Sequence, residues 1–428
     1  MTERPQRRDG PSVLRPLADF LHTEAAGGVV LVVATVVALV WANSPWKASY
    51  FELWHTHLSL SVGSWSIDLD LKEWVNDGLM AIFFFVVGLE IKRELVEGEL
   101  RQPRTAAMPA IAALGGMVVP ALIFAAVNSG GRGAHGWGIP MATDIAMAVG
   151  VLSLLGSRVS PSLKLFLLAL AIVDDIGAIA VIAIFYSDHI DVVALVTVAV
   201  LVGVVAMVRR LGVQQIPVYV VFGVGLWIAM HQSGLHATLV GVILGLMAPT
   251  KPIRQRRFVD ADALLDLSSA EDARETAALA RESVSVVEWL EHLLHPWTSF
   301  VILPLFALAN AGIPLSSASL HNAVGSRVTW GVILGLVVGK TVGVTAFSWL
   351  AARLGIGTLP NGATWPQVIG LAALAGVGFT VSIFVAGLAF TSPVLQNEAK
   401  IGILAASLIA AVTGSLILLR VTRAPARE

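Results

Sequence analysis

The stretch LKLFLLALAIVDDIGAIAVIAIFY, residues 163–186, decides what kind of protein this is. Apart from Lys164 near one end, only Asp174 and Asp175 carry charge in its 24 residues. A helix needs roughly 20 mostly apolar residues to cross a bilayer, so this segment spans, with its carboxylates at the twelfth and thirteenth positions, near the midplane. A charge there costs at least about 2.5 to 3.5 kcal/mol and by default belongs to a transport pathway. Neighbouring helical residues point about 100° apart, so the two cannot share one protein contact, and at least one faces a water-filled cavity. Adjacent carboxylates repel, which favours holding a proton on the pair, while their oxygens suit small hard cations. A site where a cation and protons compete is the minimum an exchanger needs.

The rest of the chain has the same character. Of 428 residues 56% are hydrophobic, about 65% with the 39 glycines, and only 13% are charged, against roughly 25% in soluble proteins. That is too little polar surface to cover a globule in water, and the bilayer is the expected partner. A net charge of −1 argues against a nucleic-acid partner, and the absence of cysteine excludes disulfides, thiolate metal sites and thiol nucleophiles.

Twelve apolar runs recur, at approximately 25–42, 74–94, 106–127, 137–156, 163–186, 190–208, 216–230, 235–249, 297–312, 330–351, 365–390 and 399–419. The expected architecture is an all-α polytopic membrane protein of about 12 transmembrane helices. Spans one to eight occupy 25–249 and spans nine to twelve 297–419, between a 1–24 tail, a charged 250–296 insert and a 420–428 tail. Lys and Arg accumulate on the cytoplasmic side. With both termini placed there, 22 of the 28 fall inside and five outside, Lys340 lying within a span. The first run is long and lacks a small-residue cleavage site, which marks a retained helix rather than a signal peptide. From Leu58 to Leu71 apolar residues alternate about Gly63-Ser64, the signature of one small extramembrane β-hairpin over 57–71. An isolated hairpin is marginal, so pairing with a second copy, as a homodimer, competes with packing on its own chain.

Other charges fall at informative depths. Lys340, between Gly339 and Gly343, is the eleventh residue of its span. A buried lysine loses its proton or finds an anion, and an aspartate of 163–186 is the expected partner; a purely structural salt bridge is the competing reading. Asp144 follows Pro140 and Thr143. Proline interrupts a helix, and a break at membrane depth is tolerated where it lines a cavity. Gly376-Val-Gly378-Phe-Thr380 forms a second interruption. Spans three to five and ten to twelve then make two three-helix units with broken middle members, spans 4 and 11. By the charge count the two units start from opposite sides, the inverted structural repeat of a secondary transporter. Asp144 suits the positive ends of half-helices and Lys340 the negative ends. Asp77 is a cavity or interfacial charge at the outer end of its span. Toward the inner side, Glu90 and Glu94 share a face, and Glu291, His292 and His295 precede the ninth span. Histidine changes charge near neutral pH, so a pH response there competes with a merely solvated face. His236 reads as a hydrogen-bonded core histidine.

These residues resemble the NhaA family of sodium/proton antiporters. The resemblance covers nearly the whole chain. It is carried by Trp74-Val-Asn-Asp-Gly-Leu-Met-Ala, Val87-Gly-Leu-Glu-Ile-Lys-Arg-Glu-Leu, Ala142-Thr-Asp-Ile-Ala, Leu170-Ala-Ile-Val-Asp-Asp-Ile-Gly-Ala, Ser233-Gly-Leu-His-Ala-Thr-Leu, His292-Leu-Leu-His-Pro-Trp, Leu303-Pro-Leu-Phe-Ala-Leu-Ala-Asn-Ala-Gly and Gly376-Val-Gly-Phe-Thr-Val-Ser-Ile-Phe. It implies twelve helices, the fourth and eleventh unwound where they cross, and exchange of external protons for internal Na+ or Li+. It further implies that Asp174 and Asp175 carry the ion and protons, with Thr143 and Asp144 beside them. Lys340 would offset helix dipoles, pair with the first aspartate or carry a proton. Glu90, Glu94, Glu291, His292 and His295 would form a pH-responsive cytoplasmic region, and the hairpin a dimer contact. The chain departs from the family pattern, which has Gly-Lys-Pro at the lysine, by carrying Gly339-Lys340-Thr341, and it also has a longer insert.

The leading function is electrogenic Na+ (or Li+) export from the cytoplasm for more than one H+, across the inner membrane, serving sodium and pH homeostasis without a cofactor. One net charge moved across 100 mV supplies roughly 2.3 kcal/mol. A sodium-coupled symporter of a small organic anion is the alternative, and the mid-span arginine that would favour such a substrate is absent. Paired buried carboxylates argue for binding and alternation over a passive channel. No nucleophile with a base, phosphate loop or metal-ligand cluster suggests an enzyme.

Overall fold

The computed structural model describes residues 14–62, 65–187, 191–213, 215–250 and 285–422. The beginning of the 1–24 tail, the hairpin turn Gly63-Ser64, most of the 250–296 insert and the last six residues of the 420–428 tail lie outside the described residues.

The described chain is mostly helical. Helix α1 (Leu14–Ala42) and a short α2 (Lys47–Trp54) lead to strands β1 (His57–Val62) and β2 (Trp65–Asp70). The strands pair antiparallel, with Val62 opposite Trp65 and His57 opposite Asp70, as the alternating pattern requires. Asp70 then caps the next helix in a capping box with Glu73. That helix, α3 (residues 71–96), passes through a π-helical turn, Trp74–Leu79, before continuing as Met80–Val96. It is followed by α4 (Pro103–Val127), a 3₁₀ segment (Ala134–Met141), α5 (Ile145–Leu154), α6 (Pro161–Phe185), α7 (Val192–Arg210), α8 (Ile216–Gln232) and α9 (Leu239–Met247). Past the insert come α10 (Val286–Asn310), α11 (Ser317–Gly325), α12 (Arg327–Arg353), α13 (Trp365–Leu374), α14 (Phe379–Ala389) and α15 (Pro393–Val421).

Among the described residues eight helical segments are long and apolar enough to cross a bilayer, or nine when α13 and α14, bent by 48°, count as one span. The chain is a multi-pass membrane protein. Its outer surface agrees: Val192, Val193, Val200 and Met207 of α7 are all exposed, the apolar surface a helix presents to lipid. The apolar runs at 74–94, 216–230 and 235–249 correspond to α3, interrupted by its π-turn, and to α8 and α9, of 17 and 9 residues.

Two helices begin eleven residues before their apolar runs. α1 continues on the N-terminal side of residue 25, so Glu24 lies inside it. α10 starts at Val286, within the stretch read as insert, where the Ser285 side chain caps it by accepting from the Glu288 amide at 3.1 Å. Both extensions carry charged and polar residues, among them Arg15, Asp19 and Glu24 in α1 and Glu288, Glu291 and His292 in α10, which lower the hydropathy that defines an apolar run.

With no water to squeeze out, helices in a membrane associate through close packing of small residues. Gly88 of α3 meets Val242 and Gly245 of α9, and Gly27 and Gly28 of α1 meet Ser299 and Ala146. α4 and α12 also meet closely, and a side chain at Gly115 would run into the Gly343 carbonyl and Phe347. Overpacking costs about 1 to 3 kcal/mol, so Gly115→Val should lower the unfolding temperature in detergent. Gly203→Ala, which meets nothing, should leave it unchanged. Equal unfolding temperatures for Gly115→Val and the native chain would contradict this packing.

Candidate ion-binding site

Two interrupted helices build the centre. The span Ala134–Leu154 opens at residues 142–144, and the α13–α14 pair opens at residues 375–378. Each break supplies partners that the other lacks. The Asp144 amide donates to the Val377 carbonyl (2.6 Å), Thr143 Oγ1 to the Ala375 carbonyl (2.9 Å) and Ser382 Oγ to the Ile139 carbonyl (2.8 Å). Asp144 caps α5 by accepting from the Met147 amide (3.0 Å), while its other oxygen accepts from the Thr380 amide (2.9 Å) and Thr380 Oγ1 (2.6 Å). One carboxylate therefore sits at the positive ends of two half-helices. Gly376 and Gly378 have no room for a side chain, facing the Leu336 and Ala142 carbonyls, and Pro140 packs on Gly335.

Helix α6 carries the adjacent aspartates, and the 100° between them sends them to different neighbours. Asp174, fully buried, accepts from Lys340 Nζ at 2.5 Å, and its Oδ1 has no hydrogen-bond partner. The lysine stem passes over Gly116. The Ala375 and Val377 carbonyls accept from Thr143 Oγ1 and the Asp144 amide, and the hydrogen bond of Lys340 goes to Asp174. Asp175 faces a cavity shared with Thr143, Asp144, Thr380 and Glu90, offering about 40 Å³ of space that water can occupy, several times what one water needs. Its Oδ1 is buried without a hydrogen-bond partner. Carboxylates around so small a space repel one another, and a bound proton or a hard cation relieves that repulsion. Among the described residues no three His, Asp or Glu side chains converge as a metal cage.

Glu24, Glu90 and His295 line the same cavity. His295 Nε2 is 2.7 Å from Glu24 Oε1, which also accepts from Ser299 Oγ at 3.0 Å. Arg93 bridges Glu291 and lies 3.7 Å from Glu94. His292 is exposed on the other face of α10. Asp77 lies at the opposite end of α3, outside the cavity. His236 Nε2 contacts the Tyr186 carbonyl at 2.7 Å. Sequence reasoning missed Glu24; its signal was a lone acid at the head of the first apolar run.

Residues 18–418 match the profile of the family described as Na+/H+ antiporter 1. The chain is 49% identical over 427 residues to the Na(+)/H(+) antiporter NhaA of Rhodopirellula baltica, covering 97% of this chain and 96% of that protein. It is 47% identical to the Na(+)/H(+) antiporter NhaA 3 of Frankia alni (95% and 89% covered) and to the Na(+)/H(+) antiporter NhaA 2 of Sorangium cellulosum (96% and 91%). The chain belongs to the NhaA family of Na+/H+ antiporters.

NhaA proteins are transporters, not enzymes. In this NhaA chain the Asp174–Lys340 pair has no exposure on either side. Removing one partner of a buried ion pair strands the other at a cost of roughly 3 to 5 kcal/mol, whereas removing both is far cheaper. Lys340→Ala should therefore unfold at a clearly lower temperature in detergent, and adding Asp174→Asn should recover much of the loss. A single variant as stable as the native NhaA chain would contradict the pairing.

Proposed function

We propose that the chain is an electrogenic antiporter that exports Na+ or Li+ from the cytoplasm in exchange for more than one external H+. The observation that carries this reading is the partnerless Asp175 oxygen beside a cavity with room for a few waters that Asp144 also lines. With Thr143 and Thr380 nearby, that space supplies the oxygen ligands a small hard cation takes. An ion arriving there displaces protons from the carboxylates, and protons arriving from the other side displace the ion. Asp174 holds the Lys340 ammonium when the site is proton-loaded, and when Asp174 turns from that pair toward the ion, Lys340, left without its countercharge, releases the second proton to water. Two protons for one Na+ moves one charge, worth roughly 2.3 kcal/mol per 100 mV. The ions are substrates, and the cycle calls for no cofactor.

The reading includes twelve membrane-spanning helices in inverted repeats, spans 4 and 11 crossing at their breaks, and both termini on the cytoplasmic side of the inner membrane. The direct hydrogen bonds between the breaks support it. It also includes a homodimer through the 57–71 hairpin, supported by the exposure of Leu58 and Leu60, and a pH response through Glu90, Glu94, Glu291, His292 and His295. A space of a few waters does not suit an organic anion, which weighs against the symporter.

In proteoliposomes carrying an imposed proton gradient, Na+ and Li+, but not choline, should dissipate the gradient, and the rate should respond to membrane potential. Asp175→Asn should abolish the exchange, a loss of at least about a hundredfold, while the variant purifies as a folded, monodisperse protein. Normal sodium-dependent proton movement in that variant would overturn the assignment.

A further inference from the structure

The hairpin end of α3 holds titratable groups that the central site does not use. Asp77 sits in the π-helical turn Trp74–Leu79, thirteen residues from Glu90, about 20 Å along the helix. Such turns are frequent at functional sites. The Asp77 carbonyl accepts from Trp227 Nε1 at 2.9 Å. The Trp227 ring stacks on Trp74 (5.7 Å between centroids, 14° between planes) and on His231 (5.6 Å, 8°). This three-ring stack holds the imidazole so that His231 Nδ1 lies 3.7 Å from Asp77 Oδ2. Both side chains are partly exposed, 34% for His231 and 29% for Asp77. The other charged or titratable groups acting on Asp77 are His236 and Glu73.

An apolar barrier separates this cluster from the Asp175 cavity. Phe84 of α3, Phe384 of α14 and Phe306 of α10 are buried, with Phe384 5.4 Å from Phe84 and 6.3 Å from Phe306. One turn beyond Phe306, Asn310 Nδ2 donates to Asn76 Oδ1 at 2.7 Å. The helices α3 and α10 both line the cavity, and toward the hairpin they are closed by these rings and amides.

We propose that His231 and Asp77 form a second proton site, loading protons from the hairpin-side solution before the aromatic barrier opens. A proton leaves hydronium for the imidazole, the Asp77 carboxylate supplies the countercharge, and the proton returns to water in the opened path toward the central carboxylates. Imidazole suits the task because its charge changes near neutral pH. The proposal rests on the antiport reading.

The test uses vesicles whose orientation is read by labelling a single cysteine introduced at Ser66 with a membrane-impermeant reagent, the native chain having none. Sodium-dependent proton flux is measured while pH is varied on one side and fixed on the other. His231→Phe keeps a flat ring on Trp227 and removes the titration; Asp77→Asn keeps the shape and removes the countercharge. In each variant, half-maximal exchange on the hairpin side should require at least about threefold more protons, half a pH unit toward acid, with the cavity-side profile unmoved. An unchanged hairpin-side profile in both variants, or an equal displacement on both sides, would overturn the proposal. A native chain without sodium-dependent flux would instead overturn the antiport reading.

Discussion

In hydrocarbon an unpaired backbone amide or carbonyl costs several kcal/mol, so a membrane span can open only where another element supplies the missing partners. The hydrogen bonds between residues 142–144 and 375–380 meet that constraint here, with Asp144 receiving three donors from two helix starts. The rest of the centre is arranged around this junction. Neither break is tolerable without the other, and the glycines at 376 and 378 keep side chains out of it.

The junction also sorts the carboxylates. Asp144 is satisfied and fixed. Asp174 is compensated by Lys340, and Asp175 keeps an oxygen for whatever enters the cavity. Three acids near one another thus take three electrostatic situations, set by helix dipoles, an ammonium group and open space. A pair that binds either protons or a hard cation needs such a division, because a fully satisfied carboxylate has nothing to exchange.

Much of this was legible in the sequence because charge is expensive at membrane depth. Asp174, Asp175 and Lys340 announce themselves in apolar runs, and Pro140, Gly376 and Gly378 mark the interruptions. The hairpin register follows from its alternation. Less visible was which aspartate meets Lys340, since that depends on the rotation of α6 against α12. Glu24 and the early start of α10 escaped because charged and polar residues at a membrane surface lower the hydropathy that defines a span. The Trp74–Trp227–His231 stack could not be read at all, joining residues about 150 apart in the chain through a π-turn without a local signature.

The most direct measurement is calorimetric titration of Na+ into the purified protein in detergent, from pH 6.5 to 9 in buffers of different ionisation heat. Competition at Asp175 requires that apparent affinity rise with pH and that binding release protons, both effects disappearing in Asp175→Asn. Affinity that is independent of pH, with no proton released, would contradict the claim that cation and protons share this site.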